Sequence, residues 1–241
     1  MYVITSKVSD REVEMKRVIR KLRTCLLLAL IVSIIVPAAS GYAITARQKA
    51  LNAYKKLLSR YIVDIYGYGR RYSDYNGTGD VPDRIYYPTA SSKVQFATAY
   101  INDDTIPELI VRTKVSTKQY LWAIYTYKNG RVVKVTYGGD YTEILLGYYQ
   151  RTGLFKRKYS KDMTWEYHNK ISGTKAYPFA SKLTYKSNGK SYRNYYIFVN
   201  SVRQNKSYSA YCSAFKKATG GKPFKRFNYH QNSAANRKKF L

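Results

Sequence analysis

From residue 93 onward the chain is a succession of short runs in which apolar and polar residues alternate, and two pairs of these runs meet at turns that dictate their own geometry. YLWAIYTYK and RVVKVTY flank Asn129-Gly130, and KLTYK and KSYRNYYIFV flank Ser187-Asn188-Gly189. Asn-Gly accepts positive φ at both central positions, which the tight turn matching the twist of paired strands requires. VQFATAYI (94–101) and PELIVRT (107–113) flank an acidic turn, and EILLGYYQ (143–150), LFKRKYS (154–160) and MTWEYH (163–168) follow with turn residues between them. Connections this short join antiparallel neighbours, so a meander is the economical topology.

Helices are expected at both ends of this β-rich stretch. In 44–66 the residues Leu51, Tyr54, Leu58, Tyr61, Ile62 and Ile65 recur at helical spacing, with Lys55, Lys56 and Arg60 opposite. The stretch 67–92, rich in Gly, Asp, Pro and Tyr, shows no period and reads as a long irregular loop. Near the C-terminus Ser207 is placed to cap a helix bearing Tyr208, Tyr211, Cys212, Phe215 and Ala218 on one face, with Gly220-Gly221 as its stop. After a short strand-like FKRFNYH, Asn232 or Ser233 starts a last helix ending in Arg237, Lys238 and Lys239. The prediction is one α+β domain over 44–241, an antiparallel meander over 93–241 with the N-terminal amphipathic helix and the C-terminal helices packed on it. No period of about 20–50 residues argues for a repeat protein.

Residues 1–43 read as a leader and export signal. Lys16, Arg17, Arg20, Lys21 and Arg23 precede an apolar run from Cys25 to Val36, then Pro37 and small residues, with Gly41 and Ala43 at the −3 and −1 positions of a cleavage site. Met15 would begin a conventional signal. Left uncleaved, the uncharged stretch from Thr24 to Ala46 is long enough to cross a membrane as an anchor, although its strongly apolar part is shorter than a usual span; either way the cations hold the N-terminal flank inside and the bulk outside. A secreted or envelope-associated location follows, with membrane contact only through this segment.

Beyond residue 43 the chain keeps 36 Lys/Arg and 11 Asp/Glu, a formal charge of +25. That balance favours polyanionic partners: anionic wall polymers or other extracellular polymers. Cys212 is the one thiol left after Cys25, so no internal disulfide forms, and about 198 residues bury enough surface without one. Of 28 tyrosines all but Tyr2 and Tyr42 follow the signal, which suits strands with one wet face. Basic and aromatic residues interleave at RRY (70–72), FKRKY (155–159), SYRNYY (191–196) and FKRF (224–227). The nominated polyanion-binding residues are therefore Arg70, Arg71, Lys156, Arg157, Lys158, Arg193, Lys225 and Arg226. No recognition-helix or RNA-binding signature accompanies them, so specific nucleic acid is not expected.

The segment Tyr100-Ile101-Asn102-Asp103-Asp104-Thr105-Ile106-Pro107-Glu108-Leu109 admits two readings. One is an acidic turn whose Asn and Asp bond their own backbone; the other is an oxygen-rich loop for a hard cation. It resembles the D-x-[DN]-G-D-G-x-P-E-L loop of integrin-type and related secreted β-sheet repeats. With Y-x-Y-K-x-G-x-V (Tyr125–Val132) it looks like a group of secreted proteins from clostridia-like Gram-positive bacteria, over about half of the mature chain. The resemblance implies no known activity. It nominates Asn102, Asp104 and Glu108 as calcium ligands, while the first Asp of the pattern falls on Tyr100 and its glycines on Asp103 and Thr105.

Catalytic signatures are sparse. HExxH, paired Cys and GxSxG are all missing. Cys212 falls on the apolar face of its helix, and His168 and His230 each end an aromatic strand-like run, where a surface or sheet-edge role is ordinary. Glu143 and Glu166 are the nearest approach to a glycosidase pair. The sequence thus points to a non-catalytic exported binder of anionic polymer. The alternatives are a secreted hydrolase acting on polysaccharide or wall polymer and, beyond that, a host-directed adhesin or antimicrobial factor. Oligomeric state is not legible.

Overall fold

The computed structural model describes residues 46–60, 62–66, 86–115, 119–139, 143–160 and 162–241. The export signal and Arg70 and Arg71 lie outside them. Arg47–Leu241 form one compact unit.

Helix α1 (46–58) buries Ala50, Leu51, Tyr54 and Leu58, spaced to share one helical face. It stops short of the expected residue 66. Beyond Arg60 the sequence turns β-branched, and Val63 and Ile65, two apart, are the buried pair, a strand period rather than a helical one. Ile62–Tyr66 is strand β1, antiparallel to β2 (Tyr86–Ala90), with a single 3-10 turn at Ser91–Lys93. The end of the expected loop is therefore ordered strand and turn; residues 67–85 lie outside the described set.

The remaining strands are β3 (Val94–Ala99), β4 (Glu108–Lys114), β5 (Tyr120–Lys128), β6 (Arg131–Gly138), β7 (Glu143–Tyr149), β8 (Leu154–Ser160), β9 (Thr164–Ser172), β10 (Lys175–Ser187), β11 (Lys190–Val199), β12 (Val202–Lys206), β13 (Phe224–Arg226) and β14 (His230–Gln231), with α2 (Tyr208–Thr219) and α3 (Ala234–Phe240). Consecutive strands pair antiparallel as expected, but the meander is divided into two sheets between β6 and β7. One is five-stranded in the order β14-β3-β4-β5-β6; the other is seven-stranded in the order β12-β11-β10-β9-β8-β7-β13. The Asn-Gly turns form as read, with φ of 52° and 76° at Asn129 and Gly130 and 50° and 73° at Asn188 and Gly189.

Strand alternation makes the five-stranded sheet two-sided. Val94, Phe96, Leu109, Val111, Leu121 and Ala123 face α1, Val63 and Ile65 of the first hairpin, and the C-terminal Leu241. Ala97, Ala99, Ile110, Trp122 and Ile124 face the other way and pack on Leu145, Phe155 and Ile171 of the seven-stranded sheet. The expected strand FKRFNYH is split between the sheets: β13 covers the β7 edge of one, β14 the β3 edge of the other, and Phe227 between them fills the inter-sheet core. Ser207 and Ser233 cap α2 and α3 through their hydroxyls, accepting from the N–H of Ala210 (3.2 Å) and Asn236 (3.1 Å).

Candidate functional site

Residues paired across strands share a face of the sheet, and neighbours along a strand point to opposite faces. In the seven-stranded sheet the register therefore lines up Lys158, Glu166, Lys182, Tyr195 and Lys206 in one row across β8 to β12. The adjacent row on that face runs Arg226, Gly147, Lys156, His168, Ala180 and Ile197. Arg193, opposite Thr184, lies on the same face. Of the nominated cations this brings together Lys156, Lys158, Arg193 and Arg226. Arg157 and Lys225, each adjacent to one of them in sequence, stand on the opposite face.

Strands β7 to β13 carry 13 Lys/Arg and two carboxylates, Glu143 and Glu166, and both carboxylates are engaged. Glu166 bridges Lys156 (2.8 Å) and Lys182 (3.1 Å). Partial burial opposes its ionisation, but the hydrogen bonds and charges of the two lysines outweigh that and hold its carboxyl below the usual range. Lys158, Arg193, Lys206 and Arg226 have no ion-pair partner among the described residues.

Helix α2 covers part of this face. Tyr211 and Phe215 reach down to His168: the Phe215 ring centroid lies 4.6 Å from that of the imidazole, and the Tyr211 hydroxyl lies 3.5 Å from Nδ1. His168 is thus a core histidine, 4 % exposed, and not the surface residue its position at the end of WEYH suggested. Burial, with Lys156 nearby, pulls its pKa down to about 3, so the ring is neutral at pH 7. His230 does sit in an edge strand, with its ring stacked on Phe240. Cys212 is half-buried and Tyr208 is 64 % exposed, so the buried face of α2 is narrower than its periodicity indicated.

On the opposite face Arg157 is bound to Glu143, donates from Nε to Asn169 (3.2 Å) and lies over the Tyr167 ring (4.7 Å). Its charge is paired with Glu143, although the side chain is half-buried rather than enclosed. Tyr167, Trp165 and Tyr196 stack in series, and Arg203 covers Trp165 (5.5 Å) and Tyr196 (4.8 Å). Arg203 escaped the sequence reading because β12 did: its Asn200-Ser201 turn lacks glycine although both residues take positive φ, and VRQNK has a single apolar residue.

The acidic loop takes the turn form. Asn102 Oδ1 accepts from the N–H of Asp104 (3.4 Å), and Asp104 Oδ1 from the N–H of Ile106 (2.8 Å). Glu108 turns inward, fully buried, its Oε2 accepting from the N–H of Ile101 (2.9 Å) and Asn102 (3.4 Å). Burial raises its pKa to about 8, with the Asp104 charge adding to the shift. A neutral buried carboxyl and two side chains committed to the backbone fit a hard cation poorly. Among the described residues no three His, Cys, Asp or Glu side chains are grouped to hold a metal ion.

No protein-family model, curated protein or solved structure matches the chain. Glu143 pairs with Tyr159, and Tyr159 with Trp165, so Glu143 shares a face with Trp165 and stands on the side opposite Glu166. Carboxylates separated by a sheet cannot flank one glycosidic bond. What the lysine-bearing face can do is present positive charge in register, with strands about 4.8 Å apart setting the spacing.

Proposed function

We propose that this chain is an exported, non-catalytic protein of the cell envelope that binds anionic polymer on the lysine-bearing face of its seven-stranded sheet. The observation that carries the reading is the cross-strand row Lys158, Lys182, Lys206, in which cations recur at every second strand, roughly 10 Å apart, with Glu166 as the one carboxylate of that face. Arg193 widens the positive strip, and Tyr195, its ring packed on Tyr208 and Tyr211 of α2, separates Lys182 from Lys206 within the row. An extended polymer with regularly repeated negative charge suits such a strip better than a compact ligand. The leader in residues 1–43 and the charge of +25 beyond it support a site of action among envelope polymers.

The test is retention of the full chain on purified envelope polymers across a salt series, compared with the triple variant Lys158→Gln, Arg193→Gln, Lys206→Gln. Contacts of about 0.5 kcal/mol each at half-buried Lys158 and exposed Arg193 and Lys206 predict roughly tenfold weaker binding and a shallower salt dependence. Equal retention of variant and parent on every polyanion would defeat the assignment of the face.

A further inference from the structure

A second concentration of cations lies away from this sheet, where the last turn of α1 meets α3. An open groove of about 440 Å³ runs between them, lined by Lys55, Lys56, Ser59, Ala234, Arg237 and Lys238. We propose that this groove binds a compact, multiply charged phosphate group.

The groove is a held shape. Asn232, 6 % exposed, donates from Nδ2 to the carbonyls of Leu58 (2.8 Å) and Ser91 (3.0 Å) and accepts on Oδ1 from Arg237 Nη1 (2.8 Å). One buried amide thus ties α1, the 3-10 turn and α3 together and fixes the guanidinium that lines the groove. Leu58, Leu241 and Phe240 anchor the same two helices in the outer core of the five-stranded sheet.

The electrostatics favour an anion. Four of the six lining residues are cations and none is acidic. A helix C-terminus would ordinarily oppose negative charge through its free carbonyls. Here those of α1 are taken: Lys55 accepts from the Ser59 N–H (2.9 Å), Lys56 from the Ser59 hydroxyl (3.1 Å), Leu57 from the Arg60 N–H (3.4 Å) and Leu58 from Asn232. The negative end of the dipole is covered and the four cations are left to set the local potential. Phosphate suits them better than carboxylate, since its oxygens accept from the planar guanidinium on one side and from ammonium groups on others. The four cations converge from two short helical segments on one open spot, so they suit a compact group better than an extended polymer.

Inorganic pyrophosphate is the probe, titrated calorimetrically into the full chain at fixed ionic strength. Saturable one-to-one binding is expected, about tenfold weaker in the double variant Lys55→Gln, Lys238→Gln, which leaves the Asn232–Arg237 bond in place, and unchanged in the triple sheet variant. The far-UV spectrum and thermal midpoint of the double variant should match the parent. Sedimentation with phosphatidylcholine vesicles bearing phosphatidic acid separates the sources. Retention lost in the double variant assigns a lipid-borne phosphate, and pyrophosphate binding without such retention assigns a soluble one. Lack of saturable pyrophosphate binding, or binding weakened by the sheet variant instead of the groove variant, would overturn the site while leaving the polymer reading to its own test.

Discussion

Glycine 138 ends β6 where the chain leaves the five-stranded sheet, and it is there because nothing larger fits. A Cβ at this position would overlap the Trp122 ring and come 2.7 Å from Glu143 Oε2. Glu143 in turn accepts from the Gly139 N–H (3.1 Å) and from Arg157, so one small residue keeps the ion pair and the inter-sheet core in place. Gly138→Ala is expected to cost about 1–3 kcal/mol, read from the urea midpoint. Two other buried groups set the pH response with opposite signs. Glu108, raised by burial from the ordinary 4.5 to about 8, holds a proton in the native state that unfolding releases between those values, so stability falls as pH rises through them. His168, lowered by burial from 6.5 to about 3, takes up a proton on unfolding between those values, so its contribution is complete above pH 6.5 and fades below. Each effect approaches about 1.4 kcal/mol per pH unit within its window. Wild-type stability should therefore be nearly level from pH 4.5 to 6.5, where they cancel, and decline from there to pH 8. In Glu108→Gln that alkaline decline should vanish, leaving only the acid-side rise from His168. A decline of the same slope in this variant would show that Glu108 is not its source and that its native pKa is not raised enough to couple to folding.

The C-terminal strap from Phe224 to Gln231 does more than its short strands suggest. It closes one edge of each sheet and inserts Phe227 between them. Its seat is Gly147 in β7, where a Cβ would collide with the backbone of Lys225 and the ring of Phe224. Gly147→Ala should lift β13 away, speeding amide hydrogen exchange at Phe224–Arg226 well before it affects β9 to β11. Equal acceleration in both places would mean that the sheet opens only as a whole. The sequence carried some of these elements plainly and others not at all. Hairpins with Asn-Gly were legible because the turn dictates the pairing, and Ser207 was legible as a cap because it stands just before a helical run and ahead of a Gly-Gly stop; for the last helix the sequence left Asn232 and Ser233 as equals, and Ser233 caps while Asn232 bonds to Leu58, Ser91 and Arg237. The division of the meander was not, since hairpin signals name neighbouring strands but not the place where a sheet ends. Cations in FKRKY read as one patch, yet alternation sends Arg157 to one face and Lys156 and Lys158 to the other. Strand β12 and Arg203 were hidden by a turn built without glycine.

Across the whole molecule the charge is one-sided in a way local contacts do not offset. After Asp162 the chain contains one carboxylate side chain, Glu166, among 16 Lys and Arg. Glu166 and Glu143 are both paired, so the remaining cations of the seven-stranded sheet and of the α1–α3 groove repel one another in the folded state. Self-repulsion of this kind weakens the compact state and is relieved by screening or by a bound polyanion. The Debye length is about 30 Å at 0.01 M salt and about 10 Å at 0.1 M, which spans the distances between these cations. The thermal midpoint should therefore rise as sodium chloride is added over that range. At the lowest salt an anionic polymer should raise it further, and that extra increment should shrink as salt displaces the polymer. The sheet variant lacking Lys158, Arg193 and Lys206 should start from a higher midpoint in low salt and gain less from either addition. If salt instead lowers the midpoint of the parent, the ion pairs at Glu143 and Glu166 outweigh the repulsion, and the excess of cations is no longer a strain that a polyanion would relieve.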